Sequence, residues 1–147
     1  MVDIQQFKMK RKAVVILTDS VFNNITEHSQ INPDIECGGF LFGKISEIKD
    51  GVIHCYVNGI YRCEGAVASK TSFVFTWDFF VKAKEWGNNN NMKMIGFYHS
   101  HIYQPNPTEQ DLKIYKSIFR NKEWLSIIYS PTYGMHADFI CRDSIII

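Results

Sequence analysis

Two histidines stand on alternate residues in His99-Ser100-His101, and the run Ile102 to Pro107 then leads to Thr108-Glu109-Gln110-Asp111. Imidazole nitrogens and a carboxylate are donor types that divalent zinc takes up at tetrahedral sites. The apolar run Met94 to Tyr98, just before the histidines, reads as a buried strand. Side chains two residues apart on a strand project to the same face, so His99 and His101 point together and Ser100 points away. Pro105 and Pro107 stiffen the turn that follows. Thr108 then opens a helical pattern that carries Asp111 on its first turn. Three protein donors leave a fourth position open to water, as catalytic zinc sites do. A plainer reading competes for half of the set, because a hydroxyl at 108 with an acid three residues later is also a helix N-terminal cap. That reading accounts for Thr108 and Asp111 and leaves the histidines unexplained.

Hydrolysis at such a centre needs a group that takes a proton from water near neutral pH. Glu36 offers one, in Asn32-Pro33-Asp34-Ile35-Glu36-Cys37-Gly38-Gly39-Phe40-Leu41-Phe42-Gly43. It stands at the mouth of an apolar strand. Gly38 and Gly39 remove two side chains there, which lets a second backbone or a ligand approach closely. Standing alone, Glu36 reads first as a solvated loop carboxylate. Cys37 reads as a small strand residue rather than a nucleophile, because nothing in the sequence lowers its pKa.

Taken together, the two segments resemble the JAMM metalloproteases, also called the MPN-plus or JAB family. The match rests on Glu36 before the Gly-rich apolar strand, on His99-Ser100-His101 about sixty residues later, and on Thr108-Glu109-Gln110-Asp111. Three departures stand out. Ile102 follows the second histidine where the family has proline, Thr108 replaces the family's serine, and the six-residue linker 102–107 is one residue short. Threonine keeps the hydroxyl and with it the hydrogen bond. The resemblance covers most of the chain. It implies an α/β (α+β) fold with a cytidine-deaminase-like mixed sheet flanked by helices, in a compact prokaryotic-type member. It also implies one Zn2+ per chain on His99, His101 and Asp111, with Glu36, Thr108 and Ser100 as the catalytic set. Ser100, facing away from the metal, is assigned packing or a supporting hydrogen bond.

Composition is compatible with this and excludes other classes. A chain of 147 residues with 46% hydrophobic and 14% aromatic content suits one packed domain spanning 1–147. A formal net charge of +1 gives no electrostatic case for nucleic acid or a membrane surface. Lys8-Met9-Lys10-Arg11-Lys12 reads as a solvated lead-in to the first strand. There is no apolar run of about 18 residues for a membrane span and no signal-peptide pattern. Cys37, Cys55, Cys63 and Cys141 show no Cys-x-x-Cys pairing, so a reducing cytoplasm is the expected home.

Along the chain, Ala13 to Leu17 reads as a first strand. Thr18 or Asp19 caps a helix over Ser20 to His28, with Val21, Phe22 and Ile25 on one face. Gly39 to Ile48 and Val52 to Val57 form a hairpin about Lys49-Asp50-Gly51. Asn58 to Ser69 reads as irregular, with room for a short extra strand or a flexible insert, and Phe73 to Phe75 as a short strand. Thr76 caps a helix from Trp77 to Gly87 that presents Phe80, Val81 and Lys84. Lys93 to Tyr98 is the strand of the histidines, and Thr108 to Phe119 a third helix. Leu125 to Tyr129 and Met135 to Ile140 are strands about a turn at Ser130 to Gly134. His54 reads as an exposed or cross-strand residue, and His136 as a surface residue near the turn. Phe79, Trp86 and Trp124 belong to the core more readily than to a docking patch.

The expected function is zinc-dependent peptide or isopeptide hydrolysis. By resemblance, the substrate is a ubiquitin-like or sulfur-carrier protein cut after a C-terminal Gly-Gly tail, which adds as an extended strand at a sheet edge. Asn58 to Ser69 and Ser130 to Met135 are the candidate gripping loops. The rival is a metal-free scaffold of the same fold that only binds protein partners. A structural zinc would need a fourth protein ligand, for which Cys37 is the nearest candidate. Base deamination is disfavoured, because the His-x-Glu and Pro-Cys-x-x-Cys pattern is missing.

Overall fold

The computed structural model describes residues 3–11, 13–47, 52–102 and 123–146. Seven strands make one mixed sheet in the order β1-β7-β6-β5-β3-β4-β2. They are β1 (Asp3–Arg11), β2 (Ala13–Leu17), β3 (Gly38–Glu47), β4 (Ile53–Arg62), β5 (Met94–Ser100), β6 (Trp124–Ser130) and β7 (Gly134–Ile146). Two helices, α1 (Asp19–Ile31) and α2 (Trp77–Asn89), complete the described elements. The β2–β4 and β5–β6 pairs are parallel, and the other neighbours are antiparallel.

Each helix starts at a threonine whose hydroxyl accepts a backbone N–H three residues on, Thr18 from Val21 and Thr76 from Phe79. Val21 and Ile25 of α1 pack with Leu41, Cys55, Val57, Ile95 and Leu125. Ala83 of α2 packs with Phe40, Phe42, Phe97 and Trp124. Alternate residues of β3 thus feed two different clusters, so α1 and α2 cover opposite faces of the sheet. This is the layered arrangement of a mixed sheet flanked by helices that the resemblance implies.

Several sequence expectations are corrected. Lys8 to Arg11 are no lead-in, because 3–11 form β1, paired antiparallel with β7 from Asp3↔Ile146 to Arg11↔Phe139. β7 accordingly extends past Ile140 to Ile146. β4 continues through Asn58 and Gly59 to Arg62 instead of ending at Val57. Both residues are poor strand formers, but pairing with β3 decides their conformation, and the register shift between Phe42 and Gly43 leaves Asn58 as an extra residue. Residues 73–75 contribute only an isolated bridge, Ala68↔Phe73. On α1, Phe22 is exposed, and on α2 the buried positions are Ala83 and Gly87 while Val81 is exposed. Trp124 is buried, and Phe79 and Trp86 pack against the α2-side cluster. The expected hairpin turn at 49–51 and third helix at 108–119 lie outside the described residues.

A bulge interrupts β5 ahead of the histidines. Leu41 pairs with Gly96, but Phe42 pairs with Met94, so Ile95 is an extra residue. Ile95 turns to the α1 side, and Phe97 to the α2 side. In an unbroken strand the two would share a face. Gly96 sits at this step, where a Cβ would lie 2.0 Å from the Leu125 carbonyl oxygen, so the close passage of β6 requires glycine.

Candidate metal centre

The histidines stand at the end of β5, the central strand of the seven. Gly38 pairs with His99 across the antiparallel β3–β5 ladder. Counting back along β3 and forward along β5 sets Cys37 opposite Ser100 and Glu36 opposite His101. Directly opposite residues share a face, so Glu36 falls on the face of His99 and His101. One ligand atom from each of Glu36, His99 and His101 lies within 4.8 Å of the others, and all three residues are buried. A carboxylate that could have been a solvated loop group is only 5% exposed.

Backbone bonds hold the three in place. Glu36 N–H donates to Ser69 O at 2.9 Å, Ser100 N–H to Cys37 O at 2.8 Å, and His101 N–H to Tyr129 O at 2.9 Å. The His99 ring stacks near-parallel to Phe97 (14°, centroids 6.5 Å apart) and meets Phe75 edge-on at 6.3 Å. Ser100 faces away from the histidines as the alternation requires, and its hydroxyl accepts the Cys37 N–H at 2.8 Å. It ties the strand of the histidines to the segment of Glu36. Ser100→Ala leaves that N–H without its acceptor. We expect a loss of about 1–2 kcal/mol, read by denaturant unfolding. An unchanged unfolding midpoint would remove Ser100 from the support of Glu36.

The donor set fits a divalent ion of the zinc type. The Nε2 atoms of His99 and His101 face each other at 2.9 Å. Two nitrogens bound at about 2.0–2.1 Å to a tetrahedral ion stand about 3.3 Å apart, so a slight opening of the pair suffices. Thr108 and Asp111, the other expected members, lie outside the described residues. Cys37 is not part of the cluster, and burial pushes its thiol pKa up, opposed by the Ser100 hydroxyl. It supplies no thiolate to a fourth position.

Sequence reasoning missed His28 and Tyr98. His28 Nδ1 lies 2.7 Å from the Tyr98 hydroxyl, between α1 and the residue just before His99. Burial, and then the Arg62 guanidinium, lower the His28 pKa to about 4, opposed by Glu64. The Tyr98 hydroxyl, fully buried, has its pKa pushed well up by burial. The signal was present in the spacing of Val21, Ile25 and His28, which puts the histidine on the buried stripe of α1.

A cavity of about 430 Å³ opens beside Glu36. His28, Ile31, Asn32, Ile35 and Cys37 form one wall, and Cys63, Glu64, Gly65, Ala66, Ala68 and Phe73 the other. Apart from Phe73, the second wall belongs to the stretch read from sequence as a gripping loop. It is pinned to the first by Cys63 N–H to Gly38 O and by Glu36 N–H to Ser69 O. Among the described residues, no helix is long and apolar enough to cross a membrane.

The profile of the family described as JAB1/Mov34/MPN/PAD-1 ubiquitin protease matches residues 10–123. Among solved structures, the fold is similar to the solution structure of protein DSY2949 from Desulfitobacterium hafniense. That protein is 20% identical, with a TM-score of 0.65 and 90% of each chain covered. A comparison with curated proteins gives no match.

Proposed function

The chain belongs to the JAB1/Mov34/MPN/PAD-1 family, and from that premise we propose that it is a zinc-dependent peptidase or isopeptidase. Its substrate, in this reading, is a ubiquitin-like or sulfur-carrier protein with a Gly-Gly C-terminus. The observation that carries the reading is the convergence of buried Glu36, His99 and His101 within 4.8 Å.

His99, His101 and Asp111 would hold the ion, which when bound supplies Lewis-acid polarisation of a carbonyl. The Glu36 carboxylate takes a proton from the attacking water at a carboxylate oxygen and returns it to the leaving amine nitrogen. Thr108, in the position of the family's serine, donates its hydroxyl to the developing oxyanion. Ser100 fixes the distance between Glu36 and the histidines through Cys37. The apolar packing of Phe75 and Phe97 around His99 keeps bulk water from the ring and strengthens electrostatic contacts there.

Elemental analysis tests the reading. The purified protein is expected to carry about one zinc per chain, and the double variant His99→Ala, His101→Ala essentially none. A chelator is expected to abolish cleavage of a fusion joined through a Gly-Gly tail, and added zinc to restore it. Metal-free protein that binds partners equally well with and without the two histidines would establish the scaffold reading instead.

A further inference from the structure

His28 combines features that its packing role does not need. It is 8% exposed and lines the cavity that Glu36 also lines. Its Nδ1 is engaged by the Tyr98 hydroxyl at 2.7 Å. The two nitrogens of a neutral imidazole differ, one carrying a hydrogen and the other a lone pair. If Nδ1 carried the hydrogen, Tyr98 would accept it, and the phenolic hydrogen would be left buried without an acceptor. An unsatisfied buried donor costs about 1–3 kcal/mol. With the phenol donating to Nδ1 instead, both groups are satisfied and the imidazole hydrogen sits on Nε2. Among the described residues Nε2 has no partner, and His28 lines the cavity.

The ring is also held uncharged. Its pKa, lowered to about 4 by burial and the nearby Arg62 guanidinium, keeps it neutral at physiological pH. Arg62 is itself committed elsewhere, donating to Asn24 Oδ1 at 2.9 Å and Asn24 O at 3.3 Å, with Glu27 Oε2 at 3.8 Å. His28 is therefore a fixed, neutral donor, suited to a neutral acceptor such as a peptide carbonyl. Between Glu64 and Phe73, the cavity lining at Gly65, Ala66 and Ala68 offers almost no side-chain bulk, which leaves room there for an extended chain.

We infer that His28, oriented by Tyr98, is a substrate-binding residue whose Nε2–H donates to a backbone carbonyl of an extended, small-side-chain peptide lying in the cavity beside Glu36. The inference rests on the peptidase reading above and adds a residue that sets specificity for backbone over side chain. Such a donor rejects a chain lacking the carbonyl, since its own hydrogen would then be left buried and unpaired.

The test uses the full chain and a synthetic hexapeptide ending in Gly-Gly, with imidazole nitrogen NMR as the first readout. In the free protein, His28 is expected as the Nε2–H tautomer with Nδ1 accepting. Adding the hexapeptide is expected to shift the His28 Nε2 signal. His28→Ala is expected to weaken hexapeptide binding about 3- to 10-fold, the equivalent of one net hydrogen bond. KM for a Gly-Gly-linked fusion should rise more than kcat falls. His28→Gln, which keeps a neutral donor, should recover part of the binding, and Tyr98→Phe should lose part. An Nδ1–H tautomer overturns the inference. So does an undisturbed His28 signal when the hexapeptide binds, with cleavage intact, and the peptidase reading survives that result. If wild-type protein neither binds the hexapeptide nor cuts the fusion, both fail. Should His28→Ala not fold, the wild-type titration decides alone.

Discussion

Glu36→Gln is expected to lower peptidase turnover by about 10²- to 10⁴-fold, the range for removing a positioned general base, while the protein keeps about one zinc per chain. The amide matches the carboxylate in size, so the buried site stays filled, but it cannot accept a proton from water. The experiment separates two roles that geometry leaves close together, because Glu36 lies within 4.8 Å of both histidine ligand atoms. A base outside the ligand set can be lost without losing the ion. If the variant loses zinc as well as turnover, Glu36 is a ligand. If it keeps full turnover, the base lies elsewhere. Activity should be followed as kcat and KM with the metal content measured on the same sample.

Gly39→Ala is expected to be severely damaging for the addition of one methyl group. A Cβ at this position would stand 2.2 Å from the Tyr61 carbonyl oxygen and 2.6 Å from Tyr98 Cε1. Neither neighbour can yield easily. Tyr61 is paired backbone of β4, and Tyr98 is fully buried with its hydroxyl tied to His28. Overpacking of this kind costs about 1–3 kcal/mol, and a backbone clash belongs at the upper end. At about 2–4 °C per kcal/mol for a chain of this size, the unfolding midpoint should fall by roughly 6–12 °C. The ring that must move belongs to the residue before His99, so zinc affinity should fall too. Gly65→Ala is the control. Its φ of +75° strains any side chain, but nothing lies within 4 Å of the added methyl, so only about 1–2 kcal/mol is expected. Equal midpoints for the two variants would mean that β3 and β5 can part to admit a methyl group.

The pairing of the two histidines was legible in the sequence because strand alternation is a short-range rule. It fixes that His99 and His101 point together and that Ser100 points the other way, whatever the rest of the chain does. Threonine caps before both described helices were legible for the same reason, since a cap is read three residues away. The two Gly-rich and histidine segments resembled one family strongly enough to give the sheet-and-helix layout. Elements whose conformation depends on distant partners were not legible. β1 exists because β7 is there to pair with it, and Asn58-Gly59 stay extended because β3 runs alongside.

What tertiary structure alone decided is the company the site residues keep. Residue types and spacing determined which groups could hold an ion and which could move a proton. Only the β3–β5 register set Glu36 opposite His101, only the extra residue put Ile95 on the opposite face from Phe97, and only the packing of α1 brought His28 to Tyr98. Donor chemistry is a property of each side chain, whereas register, bulge and helix packing are settled by contacts between residues tens of positions apart, where single-chain periodicity carries no information.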